Sequence, residues 1–472
     1  MPELALRAEQ WVSSPPEVVF SLFGASAGAG WVFDAQCDRV VPGEPVSLSA
    51  PFAGGDPVEV IGHIRAVRRC ALIEISHDQP WRGRVRLRFV PERGGTRVRL
   101  VAELDESGLE WLMRRNGLPT GHGASGNPRL GLLTTKSGPG SLFAAATDNL
   151  ATLAIDEINA EGGVGGRPVE LLVGDDATDP AVGVAEARRL VRAGCRTILV
   201  ATISATFVAV SRALASEEVL LVQTLMNEGG ESGALRLQYG ERPGAQLVAS
   251  AATLMRAAGG RRWFLAGNDY CWPRSTHAAA RRILPRLGAE LVGERFAALG
   301  TRDFSPVIEA IQASPADIVL STFVGADAAA FERQAHAMGL RDRCLTLAPA
   351  MDESTLRRVG PTASAGLYAV SGYFEQLPTA GNEELVERYR ATYGRWAPPL
   401  STLSESVFEA VRMWWLVASR VGAAEPRRIA EEIRRTRFEL PRGVVTLDGG
   451  EQATQRLHLV EAHETGFRFT RL

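Results

Sequence analysis

Hydroxyl, amide and aromatic side chains stand just after several short apolar runs of this 472-residue chain. Ser137 and Ser141 lie in the polar loop that follows residues 130–134. Thr202 and Ser204 follow 197–201, and Gln223 and Thr224 follow 219–222. Tyr270 and Trp272 come soon after 263–266. A hydroxyl both donates and accepts, and a primary amide does the same through separate atoms. Aromatic faces pack apolar bodies, and a phenol adds a hydrogen bond. Such groups hold a small polar molecule rather than break one. The five cysteines (Cys37, Cys70, Cys195, Cys271, Cys344) are odd in number and show no metal spacing. His63 and His77 read as structural groups within strands, and the first 116 residues contain no convincing acid–base pair. No metal or cofactor is expected.

The elements that must position these side chains can be read in order. Ala146, Leu150, Leu153, Ala154 and Ile158 recur at helical spacing. Gly162-Gly163 and Gly165-Gly166 stop that helix and supply backbone freedom for a tight return. Residues 169–173 are apolar, as in a strand covered on both faces. Asp179 then caps, and Pro180 opens, a helix over 180–193. A hydroxyl at a helix start has two readings: it caps the helix, or it joins the free N–H groups there in holding a ligand. Ser137, Ser141 and Ser204 carry both.

The series Asn159, Gly162, Gly163, Gly166, Arg167, Pro168, Asp175, Asp176, Asp179 and Pro180 resembles the first lobe of the branched-chain amino-acid and amide-binding proteins of the type I periplasmic-binding-protein class. The loop from Gly267 to Arg274 (GNDYCWPR) resembles the G-S-D-Y-x-[YFW]-P-R loop of its urea- and amide-binding members. The resemblance covers about residues 129–472. It implies an α/β chain of two Rossmann-like, parallel-sheet lobes that close on a small polar ligand. Lobe 1 would span about 129–240 plus a segment from about 371. Lobe 2 would span about 241–370 plus the C-terminal strands. It also implies that Ser204 contacts the ligand and that Thr202 stands where amide-binding relatives carry Tyr. Over 223–229 only Glu228-Gly229 matches: Leu225 replaces a ligand-binding Thr, Gln223 replaces a Tyr, and Thr224 is the substitute hydroxyl. The ligand is then not acetamide or urea itself. Tyr270 and Trp272 would line the cleft, and Tyr373 would reach it. Asp327 would pair with a ligand ammonium, or else be a first-turn acid favoured by the helix dipole.

Before this module the pattern changes. Ser14-Pro-Pro-Glu17 reads as a capping box with Pro at the first helical position. Strands are expected at 58–67, 70–77, 82–90 and 96–103, with Gly94-Gly95 as a hairpin turn. Arg84, Arg86 and Arg88 alternate with Val85, Leu87 and Phe89, and Arg97 and Arg99 repeat the pattern. A short helix, a strand meander and a closing helix at 107–116 resemble a START-type or polyketide-cyclase-like helix-grip domain over 1–116. Residues 117–128, with the lone His122, are a Gly- and Pro-rich linker. The arginine stripe reads as a solvated face, or as a dock for an acidic partner or RNA.

Hydrophobic residues make up 45%, charged residues 22%, and the net charge is -2. That balance argues against a general nucleic-acid binder. No apolar run is long enough to span a membrane. The first twenty residues lack an export signal, so a cytoplasmic location is expected. The expected function is a non-enzymatic receptor for an amide, urea derivative or amino acid, signalling by lobe closure to an intracellular partner. The alternative is the binding component that feeds an ABC permease. A third reading places cyclase or hydrolase activity in the first domain. The resemblance further implies a homodimer.

Overall fold

The computed structural model describes residues 4–24, 35–37, 39–50, 58–79, 83–104, 127–138, 140–229, 231, 233–463 and 466–470. It divides into two compact units: Met1–Gly126 with Lys136–Gly138, and Asn127–Thr135 with Pro139–Leu472. The expected closing helix at 107–116 and most of the linker, His122 included, lie outside the described residues.

In the first unit, β1 (Leu4–Val12) leads into α1 (Pro16–Ser21). There follow β2 (Pro45–Ala50), β3 (Val58–Arg68), β4 (Leu72–Gln79), β5 (Gly83–Glu92) and β6 (Gly95–Leu104). The strands form one antiparallel sheet in the order β1-β6-β5-β4-β3-β2. The capping box expected at Ser14 does not form. Pro15 takes the cap position, and the Ser14 carbonyl instead accepts from Thr96 Oγ1 at 2.7 Å. Alternation puts Val85, Leu87, Phe89, Val98, Leu100 and Ala102 inside. The arginines on the other face meet acids of the same sheet. Glu74 faces Arg65, Arg84 and Arg86; Glu103 pairs with Arg86; Glu92 holds Arg97 at 2.6 Å; and Glu9 holds Arg99 at 3.1 Å. Most of the stripe is therefore paired within its own sheet, which fits the solvated-face reading.

The second unit opens with β7 (Arg129–Thr134), α2 (Ala144–Ala160), β8 (Glu170–Asp175), α3 (Pro180–Arg192), β9 (Thr197–Ala201), α4 (Ser204–Ala213), β10 (Leu220–Gln223) and β11 (Arg236–Gln238). Its first sheet is parallel, in the order β11-β10-β9-β7-β8. Both faces are covered, which is why its strands are continuously apolar. On one face Leu130, Leu132 and Val222 pack with Leu150, Ala154 and Ile158. On the other, Leu133, Val200 and Leu221 pack with Ala187, Leu190 and Phe207. The glycine-rich return after α2 has a clear cause. Asn159 brackets Val169, donating to its carbonyl at 3.1 Å and accepting from its N–H at 2.7 Å. Gly163 has φ +69, and a Cβ there would lie 1.9 Å from the Arg167 carbonyl oxygen.

The chain then crosses into the second lobe: α5 (Pro243–Ala258), β12 (Arg262–Asn268), α6 (Cys271–Ile283), β13 (Glu290–Ala297), α7 (Ser305–Gln312), β14 (Ile318–Thr322), α8 (Gly325–Ala337), β15 (Leu345–Leu347), α9 (Glu353–Val359) and β16 (Leu367–Ser371). It returns to the first lobe for α10 (Ala380–Tyr393), α11 (Thr402–Val421), α12 (Pro426–Arg435) and the hairpin β17 (Phe438–Leu440) and β18 (Gly443–Val445). It ends with β19 (His458–His463) and β20 (Gly466–Phe469) on the second sheet, ordered β13-β12-β14-β15-β16-β19-β20. Helix α11 fills the open face of the first sheet with Val407, Val411 and Trp414. Three segments thus join the lobes, around residues 239–242, 371–374 and 452–457.

Candidate functional site

Ligands of open parallel sheets sit beyond the carboxyl ends of the strands. In the first lobe, one side chain organises those ends. Asp176, just past β8, is fully buried and accepts from Thr135 Oγ1 at 2.7 Å, Thr206 Oγ1 at 2.7 Å and the Thr178 N–H at 3.0 Å. It therefore fixes the loop after β7, the first turn of α4 and its own loop together. Ala177 and Thr178 hold left-handed backbone, at φ 51 and 61. Side-chain oxygens of Asp175 and Asp176 accept their N–H groups at 2.9 and 3.0 Å. Asp179 caps α3 as the pattern predicts, accepting from Ala181 N at 2.6 Å.

Burial raises the Asp176 carboxyl from 3.8 to about 6, against the lowering effect of its three donors. The folded state thus favours the protonated acid more than the unfolded chain does. Asp176 then contributes stability that is full below about pH 4 and is lost as pH rises through about 6. Melting wild type and Asp176→Asn between pH 4 and 8 should show the wild type losing on the order of 1–3 kcal/mol relative to the variant across that range. A pH-independent difference would remove this account.

Around this scaffold the hydroxyls separate. Ser141 begins a 3₁₀ turn, Ser141–Phe143, ahead of α2 and is buried. Ser204 is the first residue of α4 rather than its cap, which is Ile203, and it is also buried. Ser137 is buried but belongs with the first unit. Thr202 leans on the Ile203 carbonyl at 3.4 Å, and Thr224 on that of Val200 at 3.5 Å. Leu225 packs into the core of its lobe. Tyr373 is a core residue and not a cleft one: it is fully buried, and its hydroxyl donates to Asn382 Oδ1 at 2.6 Å. A tyrosine directly after a crossing has equal claim to either place from sequence, and Asn382 decides it.

Asp327 is buried in the first turn of α8. One carboxylate oxygen accepts from Asn268 Nδ2 at 2.7 Å and from the Gly300 N–H at 2.8 Å. It ties three loops of its own lobe together, and burial raises its pKa against those donors. It stands in the first turn, as the second reading has it, but buried and bonded within its lobe. Tyr270 caps no group but sits at the head of α6, where burial first, then Cys271, Glu228 and Asp327, hold its phenol well above the ordinary range. At neutral pH it is a donor.

The lobes touch along this margin. The turn Ser141–Phe143 packs against α8 and α9, and α4 against α6. Glu228 of the first lobe stands near the Cys271 thiol of the second, and burial first, then that carboxylate, push the thiol up to about 12. Leu142, Met226 and Trp272 are buried without joining the core of either lobe. Among the buried side-chain atoms left without a partner, Gln223 Nε2, Trp272 Nε1 and Glu228 Oε2 belong to this margin. Sequence reasoning missed Asp176, Met226 and Cys271 as parts of this margin. For Glu228 the signal was present, since Glu228-Gly229 was the matching piece of its segment.

Residues 128–466 match the periplasmic binding protein family. A 93-residue stretch is 37% identical to the Leu/Ile/Val-binding protein BraC3 of Rhizobium johnstonii, covering 20% of this chain and 25% of that protein. A 297-residue stretch is 27% identical to Leu/Ile/Val-binding protein homolog 7 of Brucella melitensis, covering 57% and 72%. In fold, the chain is similar to the solute-binding protein of an ABC transporter from R. palustris, solved in complex with 4-hydroxybenzoate, with TM-score 0.67, 20% identity, and coverage of 73% and 96%. These findings overturn the cytoplasmic location: the matched proteins are periplasmic binding proteins.

Proposed function

The chain belongs to the periplasmic binding protein family, is a binder and not an enzyme, and on that premise we propose that it delivers a small acyl compound to an ABC permease. Contacts made by both lobes would favour the closed state, and the permease would read that closure. One observation supports the ligand class. Gln223 Nε2 and Trp272 Nε1, one from each lobe, are buried donors with no acceptor among the described residues. Such a donor costs about 1–3 kcal/mol unless an acceptor arrives. A ligand with carbonyl or carboxylate oxygens supplies it, and Tyr270 adds a third donor. Amides, urea derivatives and amino acids all qualify. Leu142, Met226 and the Trp272 ring suit an apolar body.

The order β1-β6-β5-β4-β3-β2, with α1 between β1 and β2, supports the helix-grip reading of residues 1–116. Its described core is formed by apolar residues such as Ile64, Ile73, Ile75 and Leu87, which favours a supporting role over chemistry.

Thermal melts with butyramide, phenylurea, leucine and 4-hydroxybenzoate test the ligand class. A compound at a hundred times its Kd adds about 2.7 kcal/mol. That is a rise of roughly 4 °C for a unit of this size. If all four leave the melting point unchanged at millimolar concentration while a simple alkylamine raises it, the acyl assignment is wrong.

A further inference from the structure

Arg442, in the turn between β17 and β18, gathers a buried cluster from distant parts of the sequence. Its side chain is 1% exposed. The guanidinium donates to Glu409 Oε2 at 2.6 Å, to Ser406 Oγ at 2.9 Å, and to Glu405 and Gln455. Its own N–H reaches Glu409 Oε1 at 2.9 Å, and its head lies 4.9 Å from the Tyr239 ring centre. Beside it, Glu241 Oε1 accepts from Ser371 Oγ at 2.8 Å, the Gly372 N–H at 2.7 Å and Thr402 Oγ1 at 3.0 Å. Arg442 stands 3.9 Å from Glu241.

The members are distributed unevenly. Tyr239 and Glu241 lie on the first crossing, Ser371 and Gly372 on the second, and Gln455 on the third. Gln455 Nε2 also donates to the Tyr239 carbonyl at 3.3 Å. Every other member belongs to the first lobe. The second lobe takes hold one residue further along: Gln246 of α5 donates to the carbonyls of Val370 at 2.8 Å and Pro349 at 3.2 Å.

The geometry points to Glu241 as the residue that sets where the hinge bends, given the reading of the two lobes as a closing pair. Glu241 and Arg442 fasten all three crossings to the first lobe, so those segments travel with it. Rotation then falls where the second lobe's grip begins: at residues 242–243, between Ser371, where β16 ends, and Gly372, and at 456–457. Glu241 is a positioning residue, acting on the cleft through the backbone of Gly372. Position 372 admits no side chain without opening the cluster: a Cβ would lie 2.5 Å from Gln455 Oε1 and 3.0 Å from Glu241 Oε1.

The test uses the full chain without ligand. Amide exchange is followed at Gly372. Lobe separation is followed between non-natural-residue labels replacing Arg188 and Arg286, both exposed. Glu241→Ala and Gly372→Ala should each speed exchange at position 372 at least tenfold, the loss expected of a charge-assisted hydrogen bond, and broaden the separation. Glu241→Gln, which keeps an acceptor oxygen, should restore most of the protection. Glu405→Gln, which meets Arg442 inside the first lobe alone, should lower the melting point without broadening the separation. An unchanged separation in folded Glu241→Ala and Gly372→Ala overturns the assignment. So does equal broadening in Glu405→Gln, which would reduce the cluster to a stability role. Since no ligand enters this measurement, a failed compound panel alongside broadened separations would reject the ligand class alone.

Discussion

Replacing Arg442 with methionine should destabilise the second unit by roughly 3–5 kcal/mol, because removing one partner of a buried ion cluster leaves its charges uncompensated. Glu405 and Glu409 are fully buried on α11, and Glu241 is nearly so. Burial raises the Glu405 pKa well above the ordinary carboxyl range even with the arginine present. Methionine fills much of the volume and supplies no donor. In a unit of this size the melting point should fall by about 4–7 °C. Adding Glu405→Gln and Glu409→Gln should return more than half of that loss, because the penalty lies in charge and not in shape. A single variant melting within a degree of wild type would show that the cluster contributes little.

The second large effect is on binding. Tyr270→Ala should weaken whichever compound of the panel stabilises the protein by at least about 30-fold, the loss typical of a central aromatic anchor. Tyr270→Phe, which keeps the ring, should lose roughly tenfold for want of the hydroxyl's hydrogen bond. Tyr270→Phe should melt near wild type without ligand, whereas Tyr270→Ala should lose a few degrees with the burial of its ring. Calorimetric titration gives the constants. Wild-type affinity in Tyr270→Ala would place the ligand elsewhere.

The legible parts of this protein are local. The turn after α2 needs a bracket, two glycines and a return, and Asn159, Gly162 and Gly163 occupy consecutive roles that only one backbone path satisfies. The cap at Asp179 follows from two adjacent residues. Strand ends carrying hydroxyls could be found because buried parallel strands are apolar and their ends are not. The direction of a side chain at such an end could not be found that way. Tyr373 turned inward because Asn382 waits there, and Asp327 was claimed by Asn268 and Gly300, from loops 59 and 27 residues away. The hinge cluster was illegible for the same reason on a larger scale. Glu241 and Thr402 are 161 positions apart, and neither has a pattern that names the other.

The buried thiols bear on the redox surroundings that this family inhabits. Cys70, Cys195, Cys271 and Cys344 are in no disulfide. Thiolate is the form that attacks disulfides. Burial pushes Cys195 up to about 12, burial together with Glu228 does the same for Cys271, and Cys344 is raised as well. At neutral pH only about one molecule in 10⁵ presents a thiolate at Cys195 or Cys271. Burial, with the Glu228 carboxylate beside it, therefore also quiets the Cys271 sulfur toward disulfide exchange.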